Sequence, residues 1–157
     1  MKKEEIYETI KEFLELIWEG KGSVEENEQA LTFLLDKLAM AYYYSEYESD
    51  AIHYEYPDPP EPDYSLIRKI VSERFPRLGN YNLPKYLLWE DSDIELADSI
   101  DDIVRIASDL WEIEWRWRNN SEFDALWYFR FRYLAHWGCY LRCLQFYLFL
   151  RFYEVKW

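Results

Sequence analysis

The sequence predicts an all-α fold: one helical domain over residues 1–157, a bundle of four long helices plus a short helix and a Pro/Tyr-rich connecting loop. Two observations carry that expectation. Apolar residues recur every three or four positions through four long stretches, and capping residues, glycines or prolines punctuate them. No run alternates with the period of two expected of a half-buried strand. Half the 157 residues are hydrophobic and a fifth are aromatic, so the chain is long enough and apolar enough to bury a sizeable core.

The first helix is expected over residues 4–18, with Ile6, Ile10, Phe13, Leu14 and Ile17 on one side and glutamates opposite. Gly20-Lys21-Gly22 stops it, and Ser23 with Glu26 reads as a capping box for the second helix. That helix carries Ala30, Leu31, Leu34, Leu35, Leu38 and Ala41 and frays near Ser45. Tyr42, Tyr43, Tyr44, Tyr47, Tyr54, Tyr56 and Tyr64 then surround Pro57, Pro59, Pro60 and Pro62, which favour extended backbone. This loop reads as a spacer ordered by stacking tyrosines, with a recognition loop as the alternative. A short helix follows over 65–75, stopped by Pro76 and Gly79. Ser92 with Glu95 is a second capping-box candidate, opening a helix that reaches Arg118 and breaks at Asn119-Asn120. Ser121 caps the last helix, expected to run unbroken to about residue 153.

Charge is unevenly placed. Residues 1–64 hold 17 acids against 5 bases (net −12), and residues 65–157 hold 14 against 13 (net −1). Such a front half repels phosphate backbones, which disfavours nucleic acid, and suits a basic protein partner; solubility alone is the simpler reading. Arg130, Arg132, His136, Arg142 and Arg151 interrupt the apolar run 126–153, so no membrane span is expected. The start of the chain has acids where a signal peptide has an apolar core, and Cys139 and Cys143 lie four apart on one helix. Reduced thiols and a cytoplasmic location are therefore expected.

On a helical wheel, Asp98, Asp102, Arg105, Asp109, Glu112 and Arg116 fall on one face of the fourth helix. Surface pairs such as Asp102 or Asp109 with Arg105 would explain them. The last helix, however, is apolar almost all round, which predicts that it lies in the middle of the bundle. Its cations then need buried anions. The candidate polar network is Asp98, Asp101, Asp102, Asp109, Arg130, His136 and Arg142, with Trp137 and Gly138 as structural residues. Gly138 inside a helix suggests close approach of a backbone or a bulky ring, with tryptophan the expected neighbour. His136, Cys139 and Cys143 share a face, but one helix face cannot complete a tetrahedral zinc site, so no metal or cofactor is expected. No nucleophile elbow, phosphate-binding glycine loop or metalloprotease motif is present.

Several elements recur in an order that resembles a bacterial family catalogued as domain of unknown function 5063. They are Phe75-Pro76-Arg77-Leu78-Gly79-Asn80-Tyr81, Asp98-Ser99-Ile100-Asp101-Asp102-Ile103, Asp109-Leu110, Trp115-Arg116-Trp117, Asp124-Ala125-Leu126-Trp127-Tyr128-Phe129 and His136-Trp137-Gly138. The resemblance covers residues 66–148, less distinctively 1–60, and departs from the family pattern at Arg105, where an aspartate is usual. It implies a compact helical domain and brings no activity.

Two functional readings follow. One is a non-enzymatic, immunity- or antitoxin-like protein-binding module whose acidic surface includes Glu25, Glu26, Glu28 and Asp50. The other is a metal- or small-molecule-binding protein, or an enzyme, using the Asp/His cluster in the bundle. The sequence leaves the oligomeric state and the identity of any partner open.

Overall fold

A computed structural model of the chain describes residues 1–45, 55–84 and 94–154. Its helices are α1 (Lys3–Trp18), α2 (Val24–Tyr44), α3 (Tyr64–Arg74), α4 (Ser99–Asn119), α5 (Glu122–Arg132) and α6 (Gly138–Glu154). A π-helical turn, Tyr133–Trp137, joins α5 to α6 in one rod. The class is all-α, with α1, α2, α4 and the α5–α6 rod as the long members and α3 as the short one.

Local chemistry sets most boundaries. Ser23 accepts the Glu26 backbone N–H at 3.2 Å and opens α2, Asp63 accepts from Leu66 at 3.0 Å to open α3, and Ser121 accepts from Asp124 at 3.0 Å to open α5. Helix α1 ends at Gly20, whose φ of 74° is left-handed. The Arg74 guanidinium lies over that glycine and donates to the Ile17 and Trp18 carbonyls at 3.3 and 3.0 Å. A positive group therefore closes the negative end of α1.

Two expectations fail between α3 and α4. Antiparallel strands β1 (Asn80–Pro84) and β2 (Ile94–Asp98) form a ribbon where no strand was expected. Ser92 lies outside the described residues and Glu95 falls within β2, so α4 starts later than the capping-box signal implies. The cap is Asp98, which accepts from the Ile100 and Asp101 N–H groups at 2.9 and 3.4 Å. Ser99 secures the junction by donating its backbone N–H and its hydroxyl to the Gly79 carbonyl.

A third correction concerns the middle of the bundle. Helix α4 holds that place: it packs against α1, α3, α5 and α6 and buries Ile100, Ile103, Ile106, Leu110 and Ile113. The aromatic rod lies to one side of it. Leu126, Phe129, Tyr133, Trp137, Leu141, Leu144 and Leu148 form a buried line, joined by Asp124, Ala125 and Cys143, whereas Trp127, Phe131 and Leu134 are 38%, 48% and 72% exposed. Aromatic residues on an outer face make a one-sided helix look apolar all round, because such faces are not purely polar in folded proteins.

The rod is also not one continuous α-helix. The Gly138 N–H reaches back five residues to the Tyr133 carbonyl. A Cβ at position 138 would sit 2.4 Å from that oxygen and 3.1 Å from the Tyr133 ring. The ring that Gly138 accommodates is thus a tyrosine, not a tryptophan. Trp137 is fully buried one residue earlier, edge-on to Tyr133 at 4.8 Å.

Candidate functional site

The charged face of α4 is divided among four separate clusters, the last of them at Arg116, not joined in one network. At its N-terminus, Asp98 and Asp101 hold Arg68 of α3 at 2.7 and 3.3 Å. Asp101 also accepts from Arg105, whose guanidinium lies 5.0 Å from the Tyr140 ring centre. Arg105 therefore answers Asp101 one turn away, rather than Asp102 or Asp109.

One turn further, Asp102 is 6% exposed and accepts the Tyr81 hydroxyl at 2.6 Å. Tyr81 projects from β1 and stacks on Tyr147 of α6 at 4.7 Å, so this contact ties the ribbon to the bundle. Burial pushes the Asp102 carboxyl up to about 6, opposed by the Tyr81 donor and reinforced by Asp101 and Asp98. Burial likewise pushes the Cys143 thiol up to about 12, with Cys139 beside it. Both cysteines are free, and only Cys139 is exposed.

The third cluster brings together Asp109 and His136. Asp109 is 2% exposed; its Oδ2 lies 2.5 Å from His136 Nδ1, and its Oδ1 accepts from Arg132 Nε at 3.1 Å and Nη2 at 2.5 Å. A carboxylate accepting from Nδ1 places the ring proton there and turns Nε2 away from the aspartate. Glu112 and Tyr64 border the cluster, and burial raises the pKa of each.

The remaining sequence candidates lie elsewhere. Arg130 donates to the Tyr42 carbonyl at 3.2 Å and to Ser45 Oγ at 3.3 Å, and its guanidinium lies 5.0 Å from the Tyr42 ring. Arg142 donates to the Tyr133 hydroxyl and to Gln145. Neither cation meets an aspartate of α4. Among the described residues, no group of three His, Cys, Asp or Glu side chains is arranged to hold a metal ion.

Two buried charge clusters were not singled out from the sequence. Arg116 is 3% exposed, packs 3.4 Å from the centre of the Tyr128 ring, and donates to Asp124 at 3.1 Å and to Asp58 at 2.8 Å. Asn120 donates to the Pro57 carbonyl, so the proline segment is fastened across the α4–α5 junction. Tyr47, Tyr54 and His53 lie outside the described residues. The second cluster centres on Glu28, 3% exposed, which binds Arg77 through both oxygens and Arg151 at 3.3 Å. Glu28 falls at the edge of the Leu31, Leu35, Leu38 stripe on a wheel, a signal that could have marked it as buried.

The expected acidic surface is met only in part. Glu26 is exposed, Glu25 is exposed and bound by Arg77, Glu28 is buried, and Asp50 lies outside the described residues. A further run of exposed acids lies along α1 and its C-cap, where Glu4, Glu5, Glu8, Glu12, Glu15 and Glu19 fall within about 100° of one another. Among the described residues, Lys11 and Lys37 are the side-chain cations that pair with this face, at Glu8 and Glu12. Beside it runs an open groove of about 540 Å³ with Met1, Met40 and Tyr44 among its lining residues. No helix among the described residues is long and apolar enough to cross a membrane.

Residues 2–146 match the family model described as Domain of unknown function (DUF5063), and the chain belongs to that family. The match reaches back through the front half, where the motifs are least distinctive. No curated protein and no solved structure matches the chain.

Proposed function

We propose that this member of the DUF5063 family is a non-enzymatic binding module that recognises a basic protein partner through the outer face of α1, in the manner of an immunity protein or antitoxin. One observation carries the reading: the two halves treat their charges differently. The arginines of the back half are engaged within the molecule, among them Arg68 with Asp98, Arg116 with Asp124, Arg132 with Asp109 and Arg151 with Glu28. The glutamates of α1 are answered by two lysines, so the net negative charge is expressed outward there. A one-signed field of this kind accelerates encounter with an oppositely charged partner and rejects polyanions such as nucleic acid. A reducing, cytoplasmic setting suits the exposed Cys139 thiol.

The test uses two variants with equal charge. One carries Gln at Glu4, Glu8, Glu15 and Glu19; the other carries Gln or Asn at Glu55, Glu61, Asp63 and Glu73. Basic proteins captured by the parent at low ionic strength and released by salt should be lost by the first variant and retained by the second. Equal retention by both would remove the α1 face from the account.

A second reading stays open because Asp109 orients His136. A side chain held at Nδ1 by a buried carboxylate can accept or deliver a proton at Nε2. Its support is weaker, since Arg132 closes the same carboxylate and makes the cluster self-neutralising.

A further inference from the structure

We infer that the groove between α1 and α2 is the seat of a basic amphipathic helix, so that the partner is recognised by apolar anchors as well as by charge. The inference rests on the basic-partner reading above and specifies where and how that partner binds. Helix α2 turns apolar side chains outward where a solvated helix would place polar ones: Met40 is 48% exposed and Tyr44 is 53% exposed. These two lie one turn apart and share the groove with Met1. Across from them, Glu4, Glu8 and Glu12 rise along α1 at intervals of four residues, about 6 Å each.

That spacing selects the occupant. A helix carrying Lys or Arg at every fourth position repeats its cations at the same 6 Å interval, whereas an extended strand repeats same-side residues at about 7 Å and drifts out of step. Anchors at i and i+4 on the same partner helix would reach Met40 and Tyr44, the usual way a helix lies in an apolar groove. Lys37 binds Glu12 at 2.5 Å at one end of the rim and Lys11 binds Glu8 at 3.1 Å, so the partner's cations would meet Glu4 and compete with Lys11 for Glu8. An anionic helix is excluded by the rim, and a purely polar cationic chain leaves the apolar lining uncovered.

The test compares two probes of equal charge, an amphipathic helical peptide of leucine and lysine and a polylysine, on the full chain by calorimetry. The parent should bind the amphipathic peptide about tenfold more tightly than polylysine. Met40→Ser and Tyr44→Ser replace exposed side chains and so leave the core intact. Each should weaken the amphipathic peptide about tenfold, the loss of one apolar anchor, and leave polylysine unaffected. Equal binding of the two probes by the parent, or an unchanged amphipathic affinity in both variants, would overturn the groove while leaving the acidic α1 face in place. If neither probe binds the parent, the basic-partner reading fails as well.

Discussion

Replacing Asp109 with Asn should destabilise the protein by about 2–4 kcal/mol. The side chain is 2% exposed and carries the only carboxylate that Arg132 and His136 meet among the described residues. Losing its charge leaves two donors beside a neutral amide, one of whose positions is now itself a donor. Breaking a buried pair costs about 3–5 kcal/mol when the orphaned partner stays dry. Here the Arg132 and His136 side chains are each 31% exposed, so water recovers part of that loss and the lower range applies. The many tryptophans give a fluorescence signal for urea unfolding. With an m value of about 2 kcal/mol/M, the midpoint should fall by about 1–2 M. His136→Ala alone should cost less, because the Arg132 contacts remain, and the double variant should cost less than the sum. A midpoint within about 0.3 M of the parent would show that Asp109 is not bound as described.

Two other perturbations test separate parts of the fold. The Asp102 carboxyl keeps its proton to about pH 6 in the folded chain but releases it near the ordinary 3.8 when unfolded. Between those values the folded state binds more protons, so this group's contribution falls as pH rises, by about 3 kcal/mol in all. Asp102→Asn still accepts from Tyr81 and should be at least as stable as the parent at pH 7, with a flatter stability profile between pH 4 and 6; a steeper profile would reverse the sign. Gly138→Ala should lower the melting temperature by about 5–10 °C, since the added Cβ meets the Tyr133 carbonyl and that clash outweighs alanine's helix propensity. A more stable alanine variant would mean that the π-turn is absent.

The helices were legible where one signal sufficed. Ser23 and Ser121 each cap the helix they were expected to cap, and α1 stops at Gly20. The ribbon was not legible, because Asn80–Pro84 and Ile94–Asp98 are too short for alternation to register and a nearby Ser-x-x-Glu mimicked a cap. The π-turn left one trace, a glycine at 138, and periodicity cannot distinguish an inserted residue from an ordinary break. The candidate cluster was legible only as a set of charged residues. Wheel positions placed Asp98, Asp102 and Asp109 together, but a pairing depends on the register between helices. That register sent Asp102 to Tyr81, Asp109 to His136 and Arg132, and Arg130 to the end of α2. Glu28 and Arg116 show the same limit from the other side, since charge suggested exposure and three-dimensional packing buried both.

Backbone amide shifts recorded while the leucine–lysine peptide is titrated into the full chain bear most directly on where this protein makes contact. Perturbations should gather on Glu4 to Glu12 of α1 and on Met40 and Tyr44 of α2, and fade as salt is raised. Shifts centred on Asp109, Arg132 and His136, with α1 silent, would contradict the assignment and return the Asp/His cluster to the front.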